Sequence, residues 1–276
     1  MWWRLRSEIG GGHIKVKHIS QIHYNMNIGV TEPKYAILED GSQSIVKLSH
    51  GPEGNLVLFN EYICYRMAML IDIPMPHCGI GMMDEDTEIL NPDIASSRNY
   101  GYAFYSTYIP KTTKLLPSII HLMKNKDDFI KVLLFDHIIF NKDRNEGNLL
   151  VRFYKDDISL KVIDHTHVFI NGAIWDGNCL KQAMSENDLL SRTVLEWNEC
   201  LYSMFYRSMS ITKEILTQTG FLFQNRISDN VIKKFIEECP KEWRPAKENE
   251  DILIEYLMYR ISHIDAIIST IINYLK

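Results

Sequence analysis

Residues 127–140 constrain the fold more than any other stretch. Phe129, Ile130, Val132, Leu133, Leu134, Phe135, Ile138 and Ile139 leave almost no polar face, and a helix that is apolar all round is stable only when other elements cover it on every side. The chain must therefore build a layered core around this segment. At 276 residues, with 46% hydrophobic side chains, it carries enough apolar surface to do so.

The hydrophobic period differs on the two sides of that helix. Over residues 14–48 the chain reads as short strands: residues 14–19 alternate, and residues 35–38 and 44–48 flank the turn Glu39-Asp40-Gly41-Ser42, which predicts a hairpin. A helix is predicted over residues 56–70, with Leu58, Tyr62, Tyr65 and Met69 on its stripe and Pro74 and Pro76 ending it. Two further strands are expected near residues 79–83 and 102–109. Beyond the buried helix, residues 148–153 and 160–164 read as strands, and the pattern from Gln182 onward is helical, interrupted near Gly220 and over residues 240–245. The expectation is an α+β, bilobal chain. A sheet-rich N-terminal lobe spans residues 1–108, and a larger helical lobe spans residues 109–276.

Composition excludes some functions. A formal net charge of -5 gives no overall basic field for holding a nucleic-acid backbone, so no direct nucleic-acid binding is expected. Cys64, Cys78, Cys179, Cys200 and Cys239 are scattered with no C-x-x-C pair, which reads as free thiols in a reducing cytoplasm rather than a zinc or redox site. The first residues lack the apolar run of a signal peptide, and residues 264–275 are too short and too interrupted to span a bilayer. The expected location is cytoplasmic, with no membrane partner.

Chemistry concentrates in residues 141–151. Asp143 and Asn148 stand five positions apart in a polar loop between a buried helix and an apolar strand, and Asp164 closes a second strand sixteen residues after Asn148. An Asp and an Asn in a loop often only bond nearby backbone N–H groups. The spacing and context are, however, those of a protein-kinase catalytic loop, and phosphoryl transfer can use such a set: a base to orient the incoming hydroxyl, and an amide oxygen and a carboxylate to hold hard Mg²⁺ against the phosphates. Asp143 is the candidate base, and Asn148 and Asp164 the candidate metal ligands. Lys47, in the second hairpin strand, and Glu61, on the following helix, match the pair in which a strand Lys touches the α- and β-phosphates and a helix Glu holds it. Taken singly, both are residue types that usually face water. The turn over residues 27–33, with Gly29 and Val30, is the candidate phosphate cover. Arg144 and His165 are candidate phosphate contacts, and Tyr105 and Thr107 candidate hinge positions for adenine. His165 and His167 are expected to face opposite ways, which argues against a shared metal. Trp175, Trp197 and Trp243 read as core or groove packing.

These residues, with Pro74-Met75-Pro76 and Cys239-Pro240-Lys241-Glu242-Trp243, resemble the HipA-like kinase domain family over residues 24–265. The loop at Asp143 to Asn148 and the Ile163-Asp164-His165 run are also similar to phosphatidylinositol 3- and 4-kinases. The resemblance implies a protein-kinase-like fold, ATP and Mg²⁺ as cofactors, and a nucleotide and a protein Ser or Thr hydroxyl as partners. The toxin members of the family add an antitoxin-like regulator. The chain departs from typical protein kinases in lacking a full G-x-G-x-x-G, in carrying Asn141-Lys142 for His-Arg, and in carrying Asp164-His165-Thr166 for Asp-Phe-Gly. A small-molecule or lipid-headgroup acceptor, and a nucleotide-binding regulatory module that transfers nothing, stay open as alternatives.

Overall fold

The computed structural model describes residues 15–26, 30–49, 51–95 and 100–276. Its N-terminal part is a six-stranded sheet of β1 (Lys17–Asn25), β2 (Lys34–Leu38), β3 (Gln43–Leu48), β4 (Cys78–Met83), β5 (Glu88–Ile89) and β6 (Gly101–Thr107). The β2–β3 hairpin turns at Gly41, whose φ of 76° suits a residue without a Cβ. Strand β1 pairs antiparallel with β2 and, through Lys17 and His18, parallel with the end of β4, so it ties the two sides of the sheet together, with bulges after Ile19 and Ile22. Alternate residues Ile19, Ile22, Ala36, Leu38, Val46, Ala103 and Tyr105 form its core. Gly79 packs flat against Tyr105, where a Cβ would stand 2.7 Å from the phenol oxygen.

Helix α1 (Leu56–Leu70) follows β3, with the extent the sequence predicts. It is buried on almost every face, because the sheet covers one side and the helical lobe the other, and it joins the principal core. After a single-turn α2 (Pro92–Ala95), β6 and β7 (Thr112–Lys114), the apolar segment forms α3 (Phe129–Ile138), in which Lys131 is the one residue not buried. The Phe129 and Phe205 rings stack at 3.8 Å between centroids. Each such buried side chain contributes about 1.5–3 kcal/mol from apolar surface alone. Strands β8 (Leu149–Tyr154) and β9 (Asp157–Val162) form a second sheet with β7. The rest is helical: α4 (Gly177–Ser185), α5 (Thr193–Trp197), α6 (Glu199–Tyr206), α7 (Lys213–Arg226), α8 (Asp229–Glu238), α9 (Lys247–Ser262) and α10 (Ile264–Tyr274). The α+β, bilobal fold class is thus realised. Among the described residues, no helix is long and apolar enough to cross a membrane.

Two sequence expectations need correction. Trp175 and Trp243 are core residues, but Trp197 is 71% exposed, because α5 ends at the surface with its ring beside Lys142. Strand β9 ends at Val162, so Asp164 lies in the turn beyond it, with φ of 61°.

Candidate active site

The loop after α3 owes its shape to short-range polar contacts. Phe140, at φ 50°, turns the chain out of the helix. The Asn141 side chain then accepts from the Asp143 N–H at 2.9 Å, and Asn145 caps the 3₁₀ turn Glu146–Asn148 by accepting from the Gly147 N–H at 2.8 Å. Asn148 donates through Nδ2 to the Asp143 carbonyl at 2.6 Å, which leaves its Oδ1 as an acceptor. The pairing of β8 with β9 continues one step further, since the Ile163 N–H donates to the Asn148 carbonyl at 3.1 Å. That bond sets Asn148 beside the Asp164 turn.

Lys47 reaches this turn from β3. Its ammonium lies 2.5 Å from Glu61 Oε1, 3.1 Å from Asp164 Oδ1 and 2.8 Å from Thr166 Oγ1. Residues 117 and 119 positions away thus meet one cation. Helix α1 fixes the turn from the other side: Glu61 Oε2 accepts from the His165 N–H at 3.1 Å, and Asn60 donates to the Thr166 carbonyl at 2.8 Å. Burial alone would lower the Lys47 pKa, but the charges of Asp164 and Glu61 outweigh it and hold the ammonium above its ordinary value. Burial likewise opposes the charge on Asp164, yet Lys47 and the hydrogen bonds from Thr166 keep the carboxyl well below the usual carboxylate range. A left-handed backbone at Asp164 costs about 1–3 kcal/mol, a strain of the kind that clusters at functional sites.

Other expected contacts lie elsewhere. Arg144 does not face the cleft: its guanidinium is fully buried, bound to both Asp136 oxygens at 2.8 and 3.1 Å and to the Ile163 carbonyl at 2.8 Å. A fully buried carboxylate on α3 demands that cation, so Arg144 serves as the loop's foundation. His165 is buried with it. Its Nε2 sits 2.9 Å from Arg144 Nη2, and because guanidinium only donates, the imidazole accepts there. Burial and the Arg144 charge hold its pKa well below the ordinary value, which favours the neutral ring.

The hinge assignment shifts too. Tyr105 lies in the interior strand β6, paired with Val46 and Gly79, and the Thr107 N–H donates to the His77 carbonyl at 2.8 Å. Neither offers adenine a free N–H, and the chain leaves the sheet only after Tyr108, whose N–H bonds the Gln43 carbonyl at 2.9 Å. Val30 is exposed where the described chain resumes, and Gly29 lies outside the described residues.

Several partners escaped the sequence reading. Thr166 joins the Lys47 and Glu61 pair. Asn198, at the start of α6, accepts from the Arg144 N–H and donates to the Asn141 carbonyl, while Tyr202 donates to Asp136. His167 lies between Glu53 and Asp143. Only Asp136 left a visible signal, as an acid inside an apolar helix.

A family profile described as HipA-like kinase matches residues 19–269. The chain belongs to the HipA-like kinase family. It is accordingly a phosphotransferase of the kinase type. Among solved structures, a Helicobacter pylori proinflammatory kinase, CtkA, is similar over 91% of this chain and 98% of its own, with a TM-score of 0.52 at 14% identity. This likeness agrees with the family's kinase-like fold. A Golgi casein kinase with Mn/ADP bound covers 95% of this chain and 75% of its own, at a TM-score of 0.48 and 13% identity. HipA from Shewanella oneidensis, in complex with HipB and operator DNA, covers 87% of this chain and 61% of its own, at 0.42 and 12%. No curated protein matches the sequence.

Proposed function

We propose that this HipA-like kinase transfers the γ-phosphoryl group of ATP, with Mg²⁺, to a hydroxyl group, that of a protein Ser or Thr. The observation that carries the reading is the Lys47 ammonium held at once by Glu61 and Asp164, the arrangement that phosphoryl transfer needs beside the nucleotide phosphates. In this reading Lys47 binds the α- and β-phosphates and Glu61 keeps it aimed. Residues 109–111, just beyond the sheet, are the candidate for the adenine hinge.

The donor set fits a hard divalent cation. Asp164 engages Lys47 and Thr166 through Oδ1, and its side chain is 32% exposed. Among the described residues, no group of three or more His, Cys, Asp or Glu side chains could hold a metal ion. This suits Mg²⁺, which takes one or two protein oxygens and completes its shell with phosphates and water. Asn148 and Asp164 would hold it. The ion would neutralise charge on the transferring phosphoryl group.

Asp143 stands half-exposed at the loop surface, where it orients an incoming hydroxyl and accepts its proton. A protein acceptor is supported by Trp197, whose exposed ring flanks Lys142 next to Asp143, since exposed aromatics of this kind serve polypeptide contacts. The test is labelled ATP with Mg²⁺, supplied to the parent and to Asp143→Ala, with dephosphorylated casein and a cell lysate as acceptors. Asp143→Ala should bind ATP within a few fold of the parent and transfer roughly a hundredfold more slowly. Equal transfer by the two proteins refutes the assignment of the base. Tight ATP binding with no transfer by the parent would make the chain a nucleotide-binding module instead.

A further inference from the structure

His167 lies three residues beyond Asp164, and phosphoryl transfer as described above gives it no role. Its ring stands between two carboxylates from different parts of the fold. Nε2 is 2.7 Å from Glu53 Oε1, and Nδ1 is 3.6 Å from Asp143 Oδ2. Glu53 belongs to the connection between β3 and α1, which carry Lys47 and Glu61. Asp143 belongs to the loop that leaves α3. One imidazole therefore spans from the N-terminal lobe to the candidate base.

Two features show what depends on this bridge. The Glu53 side chain is only 18% exposed, and its other oxygen is buried with no hydrogen-bond partner. A carboxylate so placed needs a cation, and His167 is the group in contact with it. Asp143 has a side-chain donor from its own loop on one oxygen only, Asn145 Nδ2 at 3.1 Å from Oδ1. The second oxygen faces His167. A ring hydrogen-bonded to one carboxylate and facing a second across 3.6 Å is favoured with both protons, and the two carboxylates, Asp143 first and Glu53 next, raise the His167 pKa to about 9 against its partial burial.

We propose that His167 is a positioning residue that ties the Asp143 carboxylate to Glu53, so that the base is oriented only while the connection over residues 51–55 is docked. The functional meaning rests on the reading of Asp143 as the base; the bridge itself does not. Movement of β3 and α1 away from the helical lobe would take Glu53 with them and leave Asp143 with Asn145 alone. Orientation of the base and closure over the nucleotide are thereby one event.

Amide hydrogen exchange on the full chain tests this without turnover. Glu53→Gln keeps the side-chain shape and removes the charge. The reporters are the amides of Asn145 and Asn148, which bond the carbonyls of Asp143 and Asn145, and that of Gly54, which bonds the carbonyl of Gly51. Glu53→Gln and His167→Gln should each speed exchange at Asn145 and Asn148 by about threefold or more, the scale of one partly exposed ion pair, and the double variant should add little. In phosphotransfer assays, the same variants should lower kcat while leaving the KM for ATP within about twofold. If Glu53→Gln speeds Gly54 alone and leaves Asn145 and Asn148 at parental rates, the bridge does not exist. A parent that transfers no phosphate would overturn the kinase mechanism, while the exchange result would still decide the bridge.

Discussion

Replacing Arg144 with Met should lower the melting temperature by about 5–9 °C. The side chain is fully buried, and so is the Asp136 carboxylate that it binds. Met fills much of the same volume, so the loss is chiefly electrostatic. Asp136 would keep the Tyr202 hydroxyl and the Asn141 amide as donors, but its charge would be left in the core without a cation. Breaking a buried pair from one side costs about 3–5 kcal/mol. Unfolding entropy is about 2.1 cal/mol/K per residue near the melting point, which for 276 residues is about 0.6 kcal/mol/K and converts that cost into the stated shift. Differential scanning calorimetry reads it directly. The double variant Asp136→Leu, Arg144→Met removes both charges and should regain most of the loss. A phosphate-binding Arg144 at the surface would give the opposite pattern, with an almost unchanged melting temperature and weaker ATP binding. A shift of Arg144→Met below about 2 °C would refute the foundation role.

Three further outcomes follow from the same structure. Asp164→Asn removes a negative metal ligand at nearly constant shape, so calorimetric ATP affinity should lose most of its Mg²⁺ dependence; an unchanged response would move the metal site. Gly79→Ala would drive a methyl into the buried Tyr105 ring, costing about 1–3 kcal/mol, or roughly 2–5 °C in melting temperature; parental stability would show that the ring yields freely. His167 has a folded pKa raised to about 9 by Asp143 and Glu53. Its contribution is therefore complete below the unfolded value of about 6.5 and is lost as pH rises through about 9. The melting-temperature gap between the parent and His167→Gln should close by about pH 10, and a gap that persists there would show that the pairing is not ionic.

Local patterns settle local structure. The apolar stripe of residues 56–70, followed by Pro74 and Pro76, marks α1 from first residue to last, because the i, i+3, i+4 spacing and the missing proline N–H act within a turn or two. Asp40-Gly41 marks the hairpin for a similar reason: only a few residues need φ above zero, and Gly41 is one of them. The α+β outline and the family were likewise legible, since order and spacing of elements survive in one dimension.

What the sequence by itself determined is thus where helices and strands begin and which polar residues lie between them. Only the tertiary structure decided which of those polar residues meet the cleft. Asn141 to Asn148 reads as one polar loop, yet Arg144 turns inward to Asp136 while Asp143 turns outward. The difference rests on Asn198 and Tyr202, more than fifty positions away, which build the buried pocket beneath the loop. Glu53 and His167 meet across 114 positions, and Thr107 lost its place as a hinge to a carbonyl from His77. Burial and charge pairing are sums over neighbours in space, and a periodicity along the chain carries no record of which neighbours those will be.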